Sequence, residues 1–301
     1  MYTRILIPLD GSKTAENVLP YVRTLASGLK IRVELLGVID IAELATHIST
    51  EKARFLNTMV EDGVRHSLEY LRRVATTFPS ENVQCSVEKG RAEDHIIAKA
   101  EADTAMLIAM ATHGRSGLNR WLLGSVAEKV LRGTANALLL IRATNEAKTE
   151  TQATLKSIVV PLDGSELAES VLPMVGGLAK KLDLEVVLLR VYNIPYNAYA
   201  GGGGYYAIDF SELIGALKDE ARGYLEKKVV ELKKLGVKKV SLATKEGLSA
   251  DQIIGMGRET PNGLIAMCSH GRSGVKRWAL GSITETVVRH SSDPVLVIRG
   301  R

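Results

Sequence analysis

Two stretches of this chain occur twice at nearly the same separation, and that duplication constrains its fold more than any other feature. Residues 5–12 (ILIPLDGS) return as 158–165 (IVVPLDGS), 153 positions on, and residues 113–125 (HGRSGLNRWLLGS) return as 270–282 (HGRSGVKRWALGS), 157 positions on. A period of about 150 residues is the size of a whole domain, so the chain is a duplicated globular unit and not a solenoid of short repeats. The second copy carries four more residues between its two motifs, and the glycine run at 201–204 is the candidate insertion. Residues 144–154 (TNEAKTETQAT) are polar and lack apolar periodicity. They are the expected linker between a domain over 1–143 and a second over 155–301.

Within the first copy, short β-branched runs predict strands over 4–9, 32–39, 83–87, 105–110 and 137–142. Helices are expected between them over 15–27, 51–77, 92–102 and 125–132, the second with an apolar stripe of Phe55, Met59, Val64, Leu68 and Leu71. Residues 106–110 (MLIAM) are apolar without alternation, as burial on both faces of a sheet demands. Strands separated by helices pair in parallel with right-handed crossovers. The expected architecture is α/β, with two tandem doubly wound, Rossmann-like, open parallel five-stranded sheets flanked by helices. In such sheets ligands sit at the carboxyl ends of the strands, where the strand order reverses.

Charge and cysteine content exclude several functions. Thirty-nine basic residues against 34 acidic leave a net +5, interleaved along the chain, and aromatic residues make up 5%. That gives neither the concentrated basic face nor the stacking platforms of a nucleic-acid binder. Cys85 and Cys268 stand far apart with no metal-ligand spacing around them. No apolar run approaches the ~20 residues of a membrane helix. The chain is expected to be cytoplasmic, with neither a membrane nor a nucleic acid as partner.

The motif at 113–125 follows an apolar strand and ends where a helix begins, with Gly114, Gly117 and Gly124 in close succession. Glycines there let backbone N–H groups approach a ligand, and the helix start adds free N–H groups and the positive end of its dipole, so the segment is a candidate phosphate cradle. Arg115, Arg120, Arg272, Lys276 and Arg277 add cationic reach or are solvated loop charge. His113 and His270 either touch phosphate or satisfy a backbone group at a strand end, whereas Trp121 and Trp278 are expected to pack as anchors. No segment supplies a Walker loop or the G-x-G-x-x-G of a dinucleotide site. A serine-hydrolase elbow is one residue short at 114–117, which argues against a triad of Ser116, His113 and Asp10.

In these motifs the chain resembles the universal stress protein (UspA) family in its tandem two-domain form, over nearly its whole length. The family's nucleotide signature, G-x2-G-x9-G-[ST], is matched by Ala111-x2-Gly114-x9-Gly124-Ser125 and Cys268-x2-Gly271-x9-Gly281-Ser282, with the first glycine replaced in both copies. The resemblance implies that Gly114, Gly124, Ser125 and Val126 hold the phosphates of ATP, with Ala111, His113, Arg115 and Gly117 on the same loop. In the second copy the corresponding set is Gly271, Gly281, Ser282 and Ile283, with Cys268, His270, Arg272 and Gly274. Adenosine is then placed near Pro8, Leu9, Asp10 and Val38, or near Pro161, Leu162, Asp163 and Val191, with each aspartate facing ribose or a phosphate-bound Mg2+. No other metal is expected. An Asp before Gly-Ser can also simply organise a turn and cap the next helix.

Ala111 and Cys268 add a side chain where backbone nears the ligand; at positive φ this would strain the cradle by roughly 1–2 kcal/mol, and at negative φ the cost is steric only. Alanine is the gentler change, which favours the first site. The resemblance further implies that the last strands of the two domains pair with each other, and it is compatible with a homodimer. The resulting expectation is a stress-response regulator that binds ATP, ADP or AMP with Mg2+ at one or both sites, hydrolysing ATP slowly at most. The alternatives are a UspA-fold interaction scaffold without nucleotide, and a weak ATPase or phosphotransferase. Tyr196, Tyr199, Tyr205 and Tyr206 around the glycine run form either a flap or a surface loop, and the lysine pairs at 227–228, 233–234 and 238–239 are expected on the wet side of a helix and its exit.

Overall fold

The computed structural model describes residues 1–41, 55–79, 82–112, 123–142, 151–193, 210–269 and 280–300. The chain divides into two compact units, Met1–Thr154 and Leu155–Arg301.

In the first unit the strands are β1 (Arg4–Pro8), β2 (Arg32–Ile39), β3 (Val83–Lys89), β4 (Met106–Ala111) and β5 (Ala137–Ile141). The helices are α1 (Leu19–Leu29), α2 (Leu56–Ala75), α3 (Ala92–Glu101) and α4 (Ser125–Gly133). The strands lie in the order β3-β2-β1-β4-β5, every neighbouring pair parallel. Ile5, Leu6 and Ile7 of β1 and all six residues of β4 are buried, because helices cover both faces of the central strands.

The second unit repeats the plan. Its strands are β6 (Ser157–Pro161), β7 (Glu185–Tyr192), β8 (Val240–Glu246), β9 (Gly263–Cys268) and β10 (Val295–Ile298), ordered β8-β7-β6-β9-β10 and parallel throughout. The helices are α5 (Glu166–Glu169), α6 (Leu172–Leu182), α7 (Phe210–Lys234), α8 (Ser249–Glu259) and α9 (Ser282–His290). The doubly wound α/β architecture expected from the sequence is thus present in each unit.

Two local expectations need correction. The helix over 15–27 is two pieces, a 3-10 turn at Ala15–Val18 followed by α1. Pro20, in the first turn of α1, has no N–H to give Glu16, so the chain tightens there and Leu19 donates to the Glu16 carbonyl instead. Pro173 goes with the same break between α5 and α6. The buried line of α2 is Val60, Leu71 and Val74, whereas Phe55 and Met59 are exposed. The predicted stripe drifts around the helix at that end, while positions 60, 71 and 74 stay on one face.

At the end of the first unit, residues 151–154 lie along α1. The Ala153 amide donates to the Pro20 carbonyl at 3.0 Å, Thr24 Oγ1 donates to the Ala153 carbonyl at 2.6 Å, and Arg23 Nη1 reaches the Thr151 carbonyl at 3.0 Å. Among the described residues no helix is long and apolar enough to cross a membrane.

Candidate functional site

The strand ladders open a crevice in each unit where the order reverses. The β1–β4 pairing stops at Leu6 opposite Ile108, yet β1 continues beside β2 to Pro8 opposite Leu36, and β4 continues beside β5 to Ala111 opposite Ile141. Beyond Leu6 and Ile108 the two central strands therefore part. In the second unit β6 and β9 separate after Val159 opposite Ile265, while the outer ladders run on to Pro161 opposite Leu189 and Cys268 opposite Ile298. Such a split at the carboxyl edge is the usual ligand position of an open α/β sheet.

One wall of each crevice is the aspartate loop. Asp10 Oδ1 accepts the Ser12 amide at 2.9 Å and the Ser12 hydroxyl at 2.6 Å, and Ser12 Oγ accepts the Ala15 amide at 3.1 Å. The copy at Asp163, Ser165 and Ala168 has distances of 2.9, 2.5 and 3.2 Å. Serine is the capping side chain, and the aspartate aims it. Gly11 at φ 81° and Gly164 at φ 83° are left-handed, so this turn requires glycine on backbone grounds. The loop is tied to the neighbouring strand by the Leu9 amide on the Leu36 carbonyl at 2.9 Å, and by Leu162 on Leu189 at 2.8 Å. Val38 and Val191 stand half-buried near the ends of those neighbouring strands.

The other wall is a helix start. Gly124 (φ −60°, ψ 148°) caps α4 and Gly281 (φ −64°, ψ 142°) caps α9. Neither conformation is special to glycine. What glycine contributes here is a cap with no side-chain oxygen, so no cap side chain covers the first-turn N–H groups, and no Cβ stands in front of them. Ser125 and Ser282 are exposed on that first turn, with Val126 half-buried and Ile283 exposed. Thr112 and Ser269 went unnoticed in the sequence although each follows its strand with a hydroxyl residue. Both are buried, and their carbonyls accept the Gly124 and Gly281 amides at 2.7 and 2.8 Å. Thr284 Oγ1 also donates to the Cys268 carbonyl at 2.9 Å.

Ala111 and Cys268 are buried last residues of β4 and β9, and neither has a positive φ. Replacing the signature's first glycine therefore adds no backbone strain in either unit. His113, Gly114, Arg115 and Gly117, with His270, Gly271, Arg272 and Gly274, lie outside the described residues, as do Trp121, Trp278, the remaining loop cations and the tyrosine-flanked glycine run.

Two further pairs escaped the sequence. Tyr70 donates to Glu16 Oε1 at 2.9 Å, and Tyr224 donates to Glu169 Oε1 at 2.7 Å, so each crossover helix is latched to the turn behind the aspartate loop. Around Tyr224 the second unit adds Arg190, whose guanidinium lies 5.3 Å from the ring centroid and donates to the Leu162 carbonyl at 3.2 Å. Lys228 binds Glu169 Oε2 at 2.7 Å and Glu231 Oε2 at 3.1 Å. The expectation of a solvated Lys228 is thus wrong: its side chain is only 17% exposed, held by carboxylates from two turns. Burial works against charge on both Lys228 and Glu169, but the hydrogen bonds and charge of Lys228, with Tyr224, leave the Glu169 pKa lowered, and those of Glu169 and Glu231 leave the Lys228 pKa raised. Among the described residues no group of three or more His, Cys, Asp or Glu could hold a metal ion.

Comparisons with known proteins agree with this plan. A model of the universal stress protein family matches residues 1–142 and again 154–299. A universal stress protein of Methanocaldococcus jannaschii is 32% identical over 145 residues, covering 48% of this chain and 82% of that protein. The crystal structure of a universal stress protein from Archaeoglobus fulgidus matches 99% of both chains at 20% identity and a TM-score of 0.64, a likeness of fold. A universal stress protein crystallised in complex with cAMP matches 50% of this chain and 100% of its own at 20% identity, with a TM-score of 0.38. This chain belongs to the universal stress protein family and carries two of its domains in tandem.

Proposed function

We propose that the chain binds ATP or another adenine nucleotide at the carboxyl edge of one or both sheets, one site in each of the domains 1–143 and 155–301 joined by the linker 144–154. The observation that carries this reading is the glycine-capped helix start, found in both units beside the split between the central strands. Exposed N–H groups at the positive end of a helix dipole suit a phosphate chain, and an adjacent strand-end carboxylate suits ribose or a phosphate-bound Mg2+. The donor set therefore fits a nucleoside phosphate. Gly124, Ser125 and Val126 would hold the phosphates in the first domain, with Pro8, Leu9, Asp10 and Val38 toward the nucleoside; Gly281, Ser282, Ile283, Pro161, Leu162, Asp163 and Val191 would do so in the second. Mg2+ would arrive with the nucleotide and offset its charge, and Asp10 or Asp163 would be the carboxylate at hand to help hold it.

On this reading the chain is a binding protein whose nucleotide occupancy is its signal in a stress response. The test is direct: small molecules released from the purified, heat-denatured protein are identified by mass spectrometry, and ATP is titrated into the stripped chain with Mg2+ in excess. Release of an adenine nucleotide and saturable rebinding at one or two equivalents per chain are expected. No released nucleotide and no rebinding would overturn the proposal in favour of an interaction scaffold.

A further inference from the structure

Along the chain the lysines of the second unit are interleaved with acidic residues, but the fold gathers several of them at one edge. Helix α6 leads into β7 and helix α7 into β8, and the two strands are parallel, so the carboxyl ends of both helices lie at the amino edge of the sheet. Lys180 and Lys181 belong to the last turn of α6, Lys233 and Lys234 to the last turn of α7, and Lys238 and Lys239 to the connection into β8. All six are exposed, as is Lys156 just ahead of β6, whose carbonyl accepts the Glu185 amide at 2.9 Å. Contacts bring the pairs to one place. Lys180 Cε and Nζ lie 3.2 Å from where a Cβ of Gly236 would stand, and Lys239 and Lys238 reach Asp183, the left-handed cap of α6, at 3.1 and 4.0 Å.

The carboxylates at this edge do not balance that charge. Asp183 is 63% exposed, and Lys239 and Lys238 hold its carboxyl below the ordinary aspartate range. Glu185 accepts from the Ser241 hydroxyl at 2.7 Å, and Glu231, one turn back on α7, is held by Lys228 at 3.1 Å. With these three carboxylates counted in full, and about half a negative charge for each helix end, the seven lysines keep a surplus of roughly +3. Apolar side chains open to water stand among them: Leu235, in the connection after α7, is 42% exposed and Val230, a turn earlier, 52%.

The chemistry of this edge selects among polyanionic partners. Both helices turn their carboxyl ends to it, so carbonyls rather than N–H groups face outward and give a phosphate no main-chain cradle. The cations are lysines, compact charges on flexible stems, without the guanidinium forks that grip nucleic-acid phosphates and bases. Neither 178–185 nor 230–241 contains an aromatic residue on which a base could stack. Mobile lysines around an exposed leucine instead match a surface whose charges are themselves mobile and whose interior is apolar. We propose that the amino edge of the second sheet docks on a bilayer surface rich in anionic phospholipid, its lysines over the headgroups and Leu235 entering the interface. This edge is opposite the crevice of the same sheet, so the inference stands apart from the nucleotide reading.

The test is cosedimentation of the full chain with vesicles of phosphatidylcholine, alone or mixed with phosphatidylserine. Binding to the mixed vesicles only, weakening as salt is raised, is expected. One lysine beside such a surface is worth about a fivefold change in affinity, so Lys180→Gln, Lys181→Gln, Lys233→Gln and Lys234→Gln together should weaken binding by about a hundredfold or more. All four side chains are exposed, so the unfolding temperature should hold. Leu235→Ser keeps the charge and should weaken binding about fivefold. Lys13→Gln, Lys89→Gln, Arg91→Gln and Lys218→Gln remove the same net charge from other exposed positions and should together change affinity by less than about threefold. No binding to phosphatidylserine vesicles, equal loss in the two fourfold variants, or tighter binding to duplex DNA than to these vesicles at the same salt would overturn the proposal.

Discussion

The Gly124 amide donates to the Thr112 carbonyl at 2.7 Å, closing the chain between the end of β4 and the start of α4. The helix is thus aimed at the crevice by a main-chain bond that any residue at 124 could make, since φ −60° and ψ 148° are ordinary values. Stability and ligand binding can therefore be separated at this position.

Gly124→Asp places a carboxylate where the helix start offers its N–H groups. Aspartate is a slightly better cap than glycine, by a few tenths of a kcal/mol, so thermal stability should hold or rise. The same carboxylate occupies and repels the proposed phosphate position, so ATP binding in the first unit should disappear. A Gly124→Asp chain that unfolds at the wild-type temperature yet binds ATP there unchanged would place the phosphates elsewhere.

Gly11 gives the opposite outcome. At φ 81° a Cβ is strained, and Gly11→Ala should cost about 1–2 kcal/mol, whereas Gly124→Ala should cost well under ~1 kcal/mol. Urea denaturation of the two variants beside wild type measures both. Equal losses would show that the left-handed turn behind Asp10 is not what holds Ser12 in its capping position.

The central strands were legible because they are apolar without alternation, and the crevice position followed from the strand–helix order alone. The break before α1 also had its signal in Pro20, which a helix-period count passes over. The Glu169, Tyr224, Arg190 and Lys228 cluster had no local signature, because its members come from α5, β7 and α7 and meet only through tertiary packing. Comparing the copies with each other does reveal the latch: Glu16 and Tyr70 recur 153 and 154 positions on, one offset for each half of the pair. The same comparison isolates Gly37 against Arg190, a contrast hidden while each copy is read alone.

The Glu169–Lys228 pair predicts how stability varies with pH. The folded-state pKa of Glu169 is lowered, burial opposing but the Lys228 and Tyr224 hydrogen bonds prevailing. Its contribution is therefore complete above the unfolded value of about 4.3 and is lost as pH falls through the folded value. The Lys228 pKa is raised, its carboxylate partners overcoming burial, so its share is complete below about 10.4 and is lost as pH rises through the folded value. Lys228→Met should cost roughly 1 kcal/mol at neutral pH and flatten both limbs of the profile of unfolding temperature against pH. Unaltered limbs would show that the pair adds nothing to stability.

Residues 151–154 give a last prediction, concerning the segment that leads out of the first unit. The single proton of Thr24 Oγ1 lies between the Ala153 carbonyl at 2.6 Å and its own helix carbonyl at Pro20, 3.2 Å away, and the shorter contact takes it. Thr24→Val keeps the shape and removes that proton, leaving the half-tied segment dependent on Arg23 at Thr151 and on the Ala153 amide at Pro20. Loss of one such bond is worth about 1 kcal/mol, roughly a fivefold increase in the detached population, because the rest of α1 is unaffected. Limited proteolysis at 151–154 should therefore quicken about fivefold while global unfolding barely shifts, and Thr24→Ser should restore the wild-type rate. If cleavage is equally fast in wild type and Thr24→Val, the hydroxyl does not fasten this segment, and Arg23 at Thr151 and the Ala153 amide at Pro20 hold it without help.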